Sequence, residues 1–399
     1  MKKALIIFLN ILIAALFVVL GFIFVYPYIY YDKMDSTPMN IWIVDKTVPN
    51  TDYREHTGLL WMLNSRKITL EGTDTLYEYQ EDYYGFFPID IDNFIIRELP
   101  DDTECPDLIY LADTYGVYVD DYFKENTSGT RSELIHGGLQ EDEVVTLKEN
   151  LGTGNTIIGE FNTASSPTNK ENRDQLGEIF RMSWTGWSGR YFKDLSRDIE
   201  VPVWAVESYE AQNNAEWTFT GEGIILVSDA DEIVVFEKNK DFGKDYVYIT
   251  FDGKYYDEFG IKGDIQYDYW FEFGVPDSSA EVLASFTFDV TEQGAQKLAE
   301  LGLSSVFPAI VRNINTQYTS YYFAGDFADG VITYKWWDFA GFSSIKRIFP
   351  MGDKGDNSQF FWRCYVPVMD KILDDISLKM AETSIEEQSQ EIQYNVKTT

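Results

Sequence analysis

The chain has 399 residues, of which 45% are hydrophobic and 16% aromatic, enough apolar surface for a sizeable core and too much for a globally disordered chain. Its formal net charge is −34, with 66 acidic residues against 32 basic ones. Such a surface repels nucleic acid and anionic lipid, which excludes nucleic acid as a partner.

At the N-terminus, Met1-Lys2-Lys3 precedes an apolar run over residues 4–31, broken at Asn10, Gly21 and Pro27. A helix of roughly 20 apolar residues crosses a bilayer, and the h-region of a signal peptide is commonly about 7–15. No small-x-small cleavage site follows the run, and no Cys is placed for lipid attachment. The expectation is an uncleaved single-pass helix in the cell membrane, with residues 1–3 cytoplasmic and the body outside. A long cleaved signal is the alternative, and it too exports the body. Outside the cytoplasm, Cys105 and Cys364 could pair as a disulfide or stay as two free thiols.

Residues 32–39 read as a polar linker. Asn40 to Val44 is a β-branched and aromatic strand closed by Asp45 and then Pro49. Thr57 to Arg66 has helical apolar spacing through Leu59, Leu60 and Leu63. Tyr84 to Ile89 and Leu108 to Leu111 are strands, the second ending at Asp113. Gln140 to Leu151 is an amphipathic helix, Thr156 to Ile158 a strand before Glu160, and Lys170 to Met182 a helix. This alternation predicts a mostly parallel α/β sheet over residues 40–230, of the flavodoxin-like kind, with helices on both faces.

Residues 231–304 read as a β-rich insertion. Gly223 to Val227 and Ile233 to Glu237 are predicted to form a hairpin. Tyr246 to Phe251, Trp270 to Phe273 and Ser285 to Val290 are further strands, and Thr291 to Leu301 is a helix. Residues 305–376 close the α/β domain through a strand pair, Phe307 to Val311 and Tyr321 to Ala324. Residues 377–399 form an acidic flexible tail, helical at its start.

The order strand, helix, strand, Gly137-Gly138 and helix, strand, short turn, helix resembles the class I glutamine amidotransferase-like superfamily, over about residues 40–230 and 305–330. The ending Phe307-Pro308-Ala309 to Tyr322-Phe323-Ala324-Gly325-Asp326 is similar to the closing hairpin of such domains. The resemblance implies a fold. It also implies a nucleophilic Cys after the strand at Thr156–Ile158, where this chain has Gly159-Glu160-Phe161-Asn162. The family's late His has no counterpart, because the only histidines are His56 and His136. Thiol-dependent glutamine hydrolysis is therefore not expected.

Three strands end in carboxylates, Asp45, Asp113 and Glu160, and open α/β sheets bind ligands at the carboxyl ends of their strands. A carboxylate pair can divide acid and base roles, as in glycoside cleavage. Capping of the following turn explains each carboxylate singly. His56 is placed beside the same crevice as a titratable side chain. Tyr115, Asn162 and the segment Trp184, Trp187, Arg190 and Tyr191 are the candidate substrate contacts, because aromatic faces and a guanidinium suit a sugar ring. Asp326 and the pair Trp336-Trp337 are lesser candidates. No phosphate-binding loop, dinucleotide fingerprint or zinc-type cluster occurs, so no cofactor and no metal is expected; any metal would have to be oxygen-liganded.

These readings point to a membrane-anchored extracytoplasmic protein that binds or processes a carbohydrate or cell-envelope polymer. If it is an enzyme, it is a carboxylate-based hydrolase. The alternative is a non-catalytic module that docks envelope proteins.

Overall fold

The structure is a computed structural model that describes residues 2–90, 93–100, 105–124, 126–152, 154–197, 199–243, 247–329 and 358–398. Trp336 and Trp337 lie outside the described residues. The first helix, α1 (Lys2–Phe24), carries the window Leu5–Phe22, which is long and apolar enough to cross a membrane and has no part buried against the rest of the protein. At about 1.5 Å per residue, such a helix matches a hydrocarbon core roughly 30 Å thick.

The body is built on a ten-stranded sheet. Its centre comprises β1 (Ile41–Asp45), β2 (Tyr84–Asp90), β3 (Leu108–Asp113), β4 (Thr156–Gly159) and, from the far end of the chain, Thr319–Phe323. These run parallel in the spatial order β2-β1-β3-β4-(Thr319–Phe323). That is the flavodoxin-like order, with its topological switch point between β1 and β3. Every residue of β1 and β3 is buried. Successive side chains face opposite sides of a sheet, so full burial means that both faces are covered. One layer pairs helix α2 (Arg54–Ser65) with the C-terminal helix Val366–Thr398, tied by Arg66 to Asp370 at 2.9 Å. Helices α3 (Glu141–Glu149) and α4 (Lys170–Phe180) pack on each other. The C-terminal helix continues through the segment expected to be a flexible tail.

In the rest of the ten-stranded sheet, pairing is antiparallel. Val306–Ile314 pairs with Thr319–Phe323 as the expected closing hairpin. Glu281–Thr287, Val247–Phe251 and Ile265–Tyr267 then extend the same sheet from that edge. They therefore belong to the main sheet. Gly223–Ser228 and Ile233–Glu237 do form the expected hairpin, but in a second, four-stranded sheet. That sheet also holds β5 (Met182–Phe192) and β6 (Trp270–Pro276). β5 contains the aromatic–Gly–Arg segment as a strand of 11 residues. Gly189 makes this possible, since a Cβ there would lie 2.6 Å from Leu226 and 2.7 Å from Phe271. Cys105 and Cys364 are both free thiols.

Candidate active site at the switch point

The carboxyl ends of β1 and β3 sit side by side, with Asp45 the register partner of Asp113 across a local bulge. Thr47 ties them together: its N–H donates to Asp45 Oδ1 at 2.8 Å and its hydroxyl to Asp113 Oδ1 at 2.7 Å. Asp113 also accepts from the Tyr115 N–H at 2.5 Å and from Asn162 Nδ2 at 3.4 Å. Burial nevertheless raises its carboxyl to about 7, with these hydrogen bonds pulling the other way and the Asp45 charge adding to the rise. Asp113 is 5% exposed.

His56 is fully buried in the first turns of α2. Its Nδ1 meets Asp45 Oδ2 at 2.5 Å and its Nε2 lies 2.8 Å from the Tyr79 carbonyl. A carbonyl only accepts, so Nε2 carries a proton and donates it there. Both ring nitrogens are thereby engaged, and His56 orients Asp45 from behind the crevice.

Glu160 is arranged differently. Its main-chain N–H bonds Leu111 O, and Gly159 is in register with Leu111, so Glu160 stands level with Ala112. Strand alternation then puts it on the same side as Tyr110 and turns Asp113 away. The Tyr110 hydroxyl donates to Glu160 Oε1, and Tyr110 in turn meets the Tyr365 hydroxyl at 2.8 Å. Oε2 accepts from the N–H groups of Phe327 at 3.0 Å and Ala328 at 3.2 Å. Glu160 has no exposed surface and pins the chain after the last parallel strand to the core. Burial pushes its carboxyl to about 8 against these hydrogen bonds.

That pinned segment delivers two carboxylates which sequence reasoning mostly missed. Asp326 follows the closing strand, and Asp329 comes three residues later. With Glu55 from α2 they form a buried trio, 3%, 5% and 2% exposed in the order Glu55, Asp326, Asp329. One carboxylate oxygen from each lies within 4.8 Å of those of the others. Arg54 caps the trio from solvent, at 2.6 Å from Glu55 Oε1 and 2.6 Å from Asp329 Oδ1. All three carboxyls are raised, by burial first. Glu55 and Asp326 are raised further by Asp329 and Asp113. Arg54 opposes the rise on each of them. The nearby Lys46 offers no help: its ammonium points to Gly138 O at 2.8 Å and Glu143 at 2.5 Å. The available signal in the sequence was Asp326-Phe327-Ala328-Asp329 directly after a buried strand.

Of the predicted substrate contacts, Arg190 and Asn162 reach this region. Arg190 is register partner of Trp270, lies over the rings of Tyr269 and Trp270 at 5.0 and 5.9 Å, and pulls on the Asp329 carboxyl with its charge. Tyr269 hydrogen-bonds Asp329. Phe192 also packs under Arg190, at 5.0 Å. Trp184 pairs with Gly274, across a bulge and roughly 13 Å along the sheet from Arg190, where it donates to the Trp187 carbonyl and stacks under Arg173. Tyr191 faces the other way and donates to Glu222 at 2.5 Å. Tyr115 contributes its main-chain N–H, while its ring packs on Tyr118 at 5.0 Å. A groove of about 550 Å³, lined by Tyr209, Phe219, Lys240 and Lys297, lies on the second sheet and shares no residue with the acidic strand ends.

No family model matches the sequence, and no curated protein matches it. Among solved structures the chain is similar to a ThuA-like protein from Parabacteroides merdae, with 11% identity, 72% of this chain and 79% of that one covered, and a TM-score of 0.33. It is similar to a second ThuA-like protein, from Bacteroides uniformis, with 9% identity, coverage of 84% and 94%, and a TM-score of 0.32. The GH42 β-galactosidase Gan42B from G. stearothermophilus matches at 10% identity over 72% of this chain, with a TM-score of 0.33. The chain spans 28% of that enzyme's length. At identities near a tenth, these likenesses leave the activity to be argued from the chain's own residues.

Proposed function

We propose that the chain is a membrane-tethered extracytoplasmic protein that binds or processes a carbohydrate or cell-envelope polymer at the switch-point crevice. The supporting observation is one juxtaposition: the carboxyls of Asp326 and Asp329 lie together, Tyr269 bonds Asp329, Arg190 lies over Tyr269 and Trp270, and the Asp113 charge is felt at Asp326. Carboxylates accept hydrogen bonds from sugar hydroxyls, aromatic faces cover the apolar side of a ring, and a guanidinium holds an acidic substituent. Asp113, at about 7, exchanges its proton near neutral pH and is the group placed to act as acid or base. The amidotransferase-like frame is part of this reading, with Glu160 in the turn where that family keeps its thiol. Glu160 then serves the site by fixing the segment that carries Asp326 and Asp329.

The non-catalytic reading is favoured by a different observation. Asp45, His56 and Glu160 are completely buried and bonded internally, as in a scaffold. One experiment separates the two. The full chain in detergent is incubated with a panel of cell-wall and exopolysaccharide fragments, and cleavage is followed by chromatography. The catalytic reading expects cleavage that falls by about two to four orders of magnitude in Asp113→Asn, the usual contribution of a general acid or base. No cleavage by the wild type, with binding retained, selects the scaffold reading.

A further inference from the structure

We infer that Glu55, Asp326 and Asp329 form a binding site for one hard divalent cation of the Ca²⁺ or Mg²⁺ class. Asp326 and Asp329 also border the proposed sugar site, and the cation site stands whether or not a sugar binds.

The trio offers oxygen donors only, from α2 and from the segment after the last parallel strand, gathered within 4.8 Å. Oxygens in one coordination sphere of radius about 2.0–2.6 Å have separations of this size. An acidic cluster alone would say little. The second observation is that, among the described residues, Glu55 Oε2 has no hydrogen-bond partner although Glu55 is 3% exposed. Arg54 occupies the other oxygen, Oε1, from the solvent side. Asp329 Oδ1, by contrast, is held by Arg54 Nε at 2.6 Å. A buried carboxylate oxygen without a partner costs on the order of 1–3 kcal/mol, so native proteins seldom keep one without a use.

Charge leads to the same place. Arg54 contacts two of the three carboxylates, and Asp113 adds a further negative field to Glu55 and Asp326. A divalent cation held by these carboxylates would add to the neutralisation that, among the described residues, Arg54 and Arg190 supply. The half-exposed Arg54 side chain is the movable cover through which an ion would enter. The first turn of α2 is reached through Tyr53, held at φ 53°, a left-handed conformation uncommon for a bulky residue. Such strain fixes the entry of α2, and with it the position of Glu55.

The test uses the full chain in detergent, stripped with EDTA and titrated separately with CaCl₂, MgCl₂ and MnCl₂ at 150 mM NaCl. Bound metal is read by elemental analysis after desalting, and thermal unfolding is read in parallel. The expected result is one equivalent bound and a Tm that climbs with cation concentration. Glu55→Gln and Asp329→Asn should each weaken binding at least about tenfold, as for loss of one carboxylate ligand. Asp252→Asn, which removes an acidic side chain elsewhere on the protein, should bind as wild type. Because a site variant could misfold, the paramagnetic signal of Mn²⁺ bound to the wild type gives an independent reading of an oxygen-only environment. Failure of the wild type to hold a stoichiometric ion overturns the inference, and so does equal binding by wild type and both site variants.

Discussion

Replacing Glu160 by alanine is expected to destabilise the body by about 3–5 kcal/mol, the largest effect of any single change considered. The substitution removes the acceptor of the Tyr110 hydroxyl and of the Phe327 and Ala328 N–H groups, all of them buried. Each orphaned donor costs about 1–3 kcal/mol, and the emptied volume adds a cavity cost. Glu160→Gln should cost only about 1 kcal/mol. Its amide oxygen can accept from both N–H groups while its NH₂ donates to the Tyr110 oxygen. Urea unfolding of the two variants checks this. Equal stability of Glu160→Ala and Glu160→Gln would show that the strut is not formed.

The second large effect is on pH dependence. Burial holds the Glu160 carboxyl at about 8 and that of Asp113 at about 7, against ordinary values of 4.5 and 3.8. A raised carboxyl means that the folded chain keeps a proton which the unfolded chain has released. Stability contributed this way is complete below pH about 4 and is lost as pH rises, through 7 for Asp113 and 8 for Glu160. The slope is up to about 1.4 kcal/mol per pH unit for each group. Thermal unfolding between pH 5 and 8 at fixed ionic strength should therefore show Tm falling with pH. In Glu160→Gln the fall should be shallower, because one titrating group is gone. A Tm that rises over this window, or an equal slope in the variant, contradicts the assignment.

Much of the frame could be read from the residues, and the reasons are local. The runs at Ile41–Asp45, Leu108–Asp113 and Thr156–Gly159 are continuous apolar segments, and a strand covered on both faces has that composition. The strand-end carboxylates marked the switch point because β1 and β3 end in register. What could not be read is which side each carboxylate faces. Glu160 differs from Asp113 by one position of alternation, and register follows from pairing between strands distant in sequence. The same limit hid Asp329, which reaches the crevice only because Glu160 anchors residues 327 and 328. The aromatic segment misled for a simple reason. Trp184 and Arg190 are close in sequence, but they pair with Gly274 and Trp270, and of the two Arg190 is the one beside Tyr269 and Asp329.

In the proposed function the ligand sits where Arg190, Tyr269 and Trp270 border the acidic strand ends. Titration calorimetry of the full chain with a cell-wall or exopolysaccharide fragment that it binds tests this most directly, using Arg190→Ala against Trp184→Ala at matched thermal stability. The account predicts a loss of about tenfold or more in Arg190→Ala, from a desolvated cation contact of about 2 kcal/mol, and unchanged affinity in Trp184→Ala at the far end of the same strand. Affinity lost in Trp184→Ala and kept in Arg190→Ala would contradict it and move the binding surface away from the switch point.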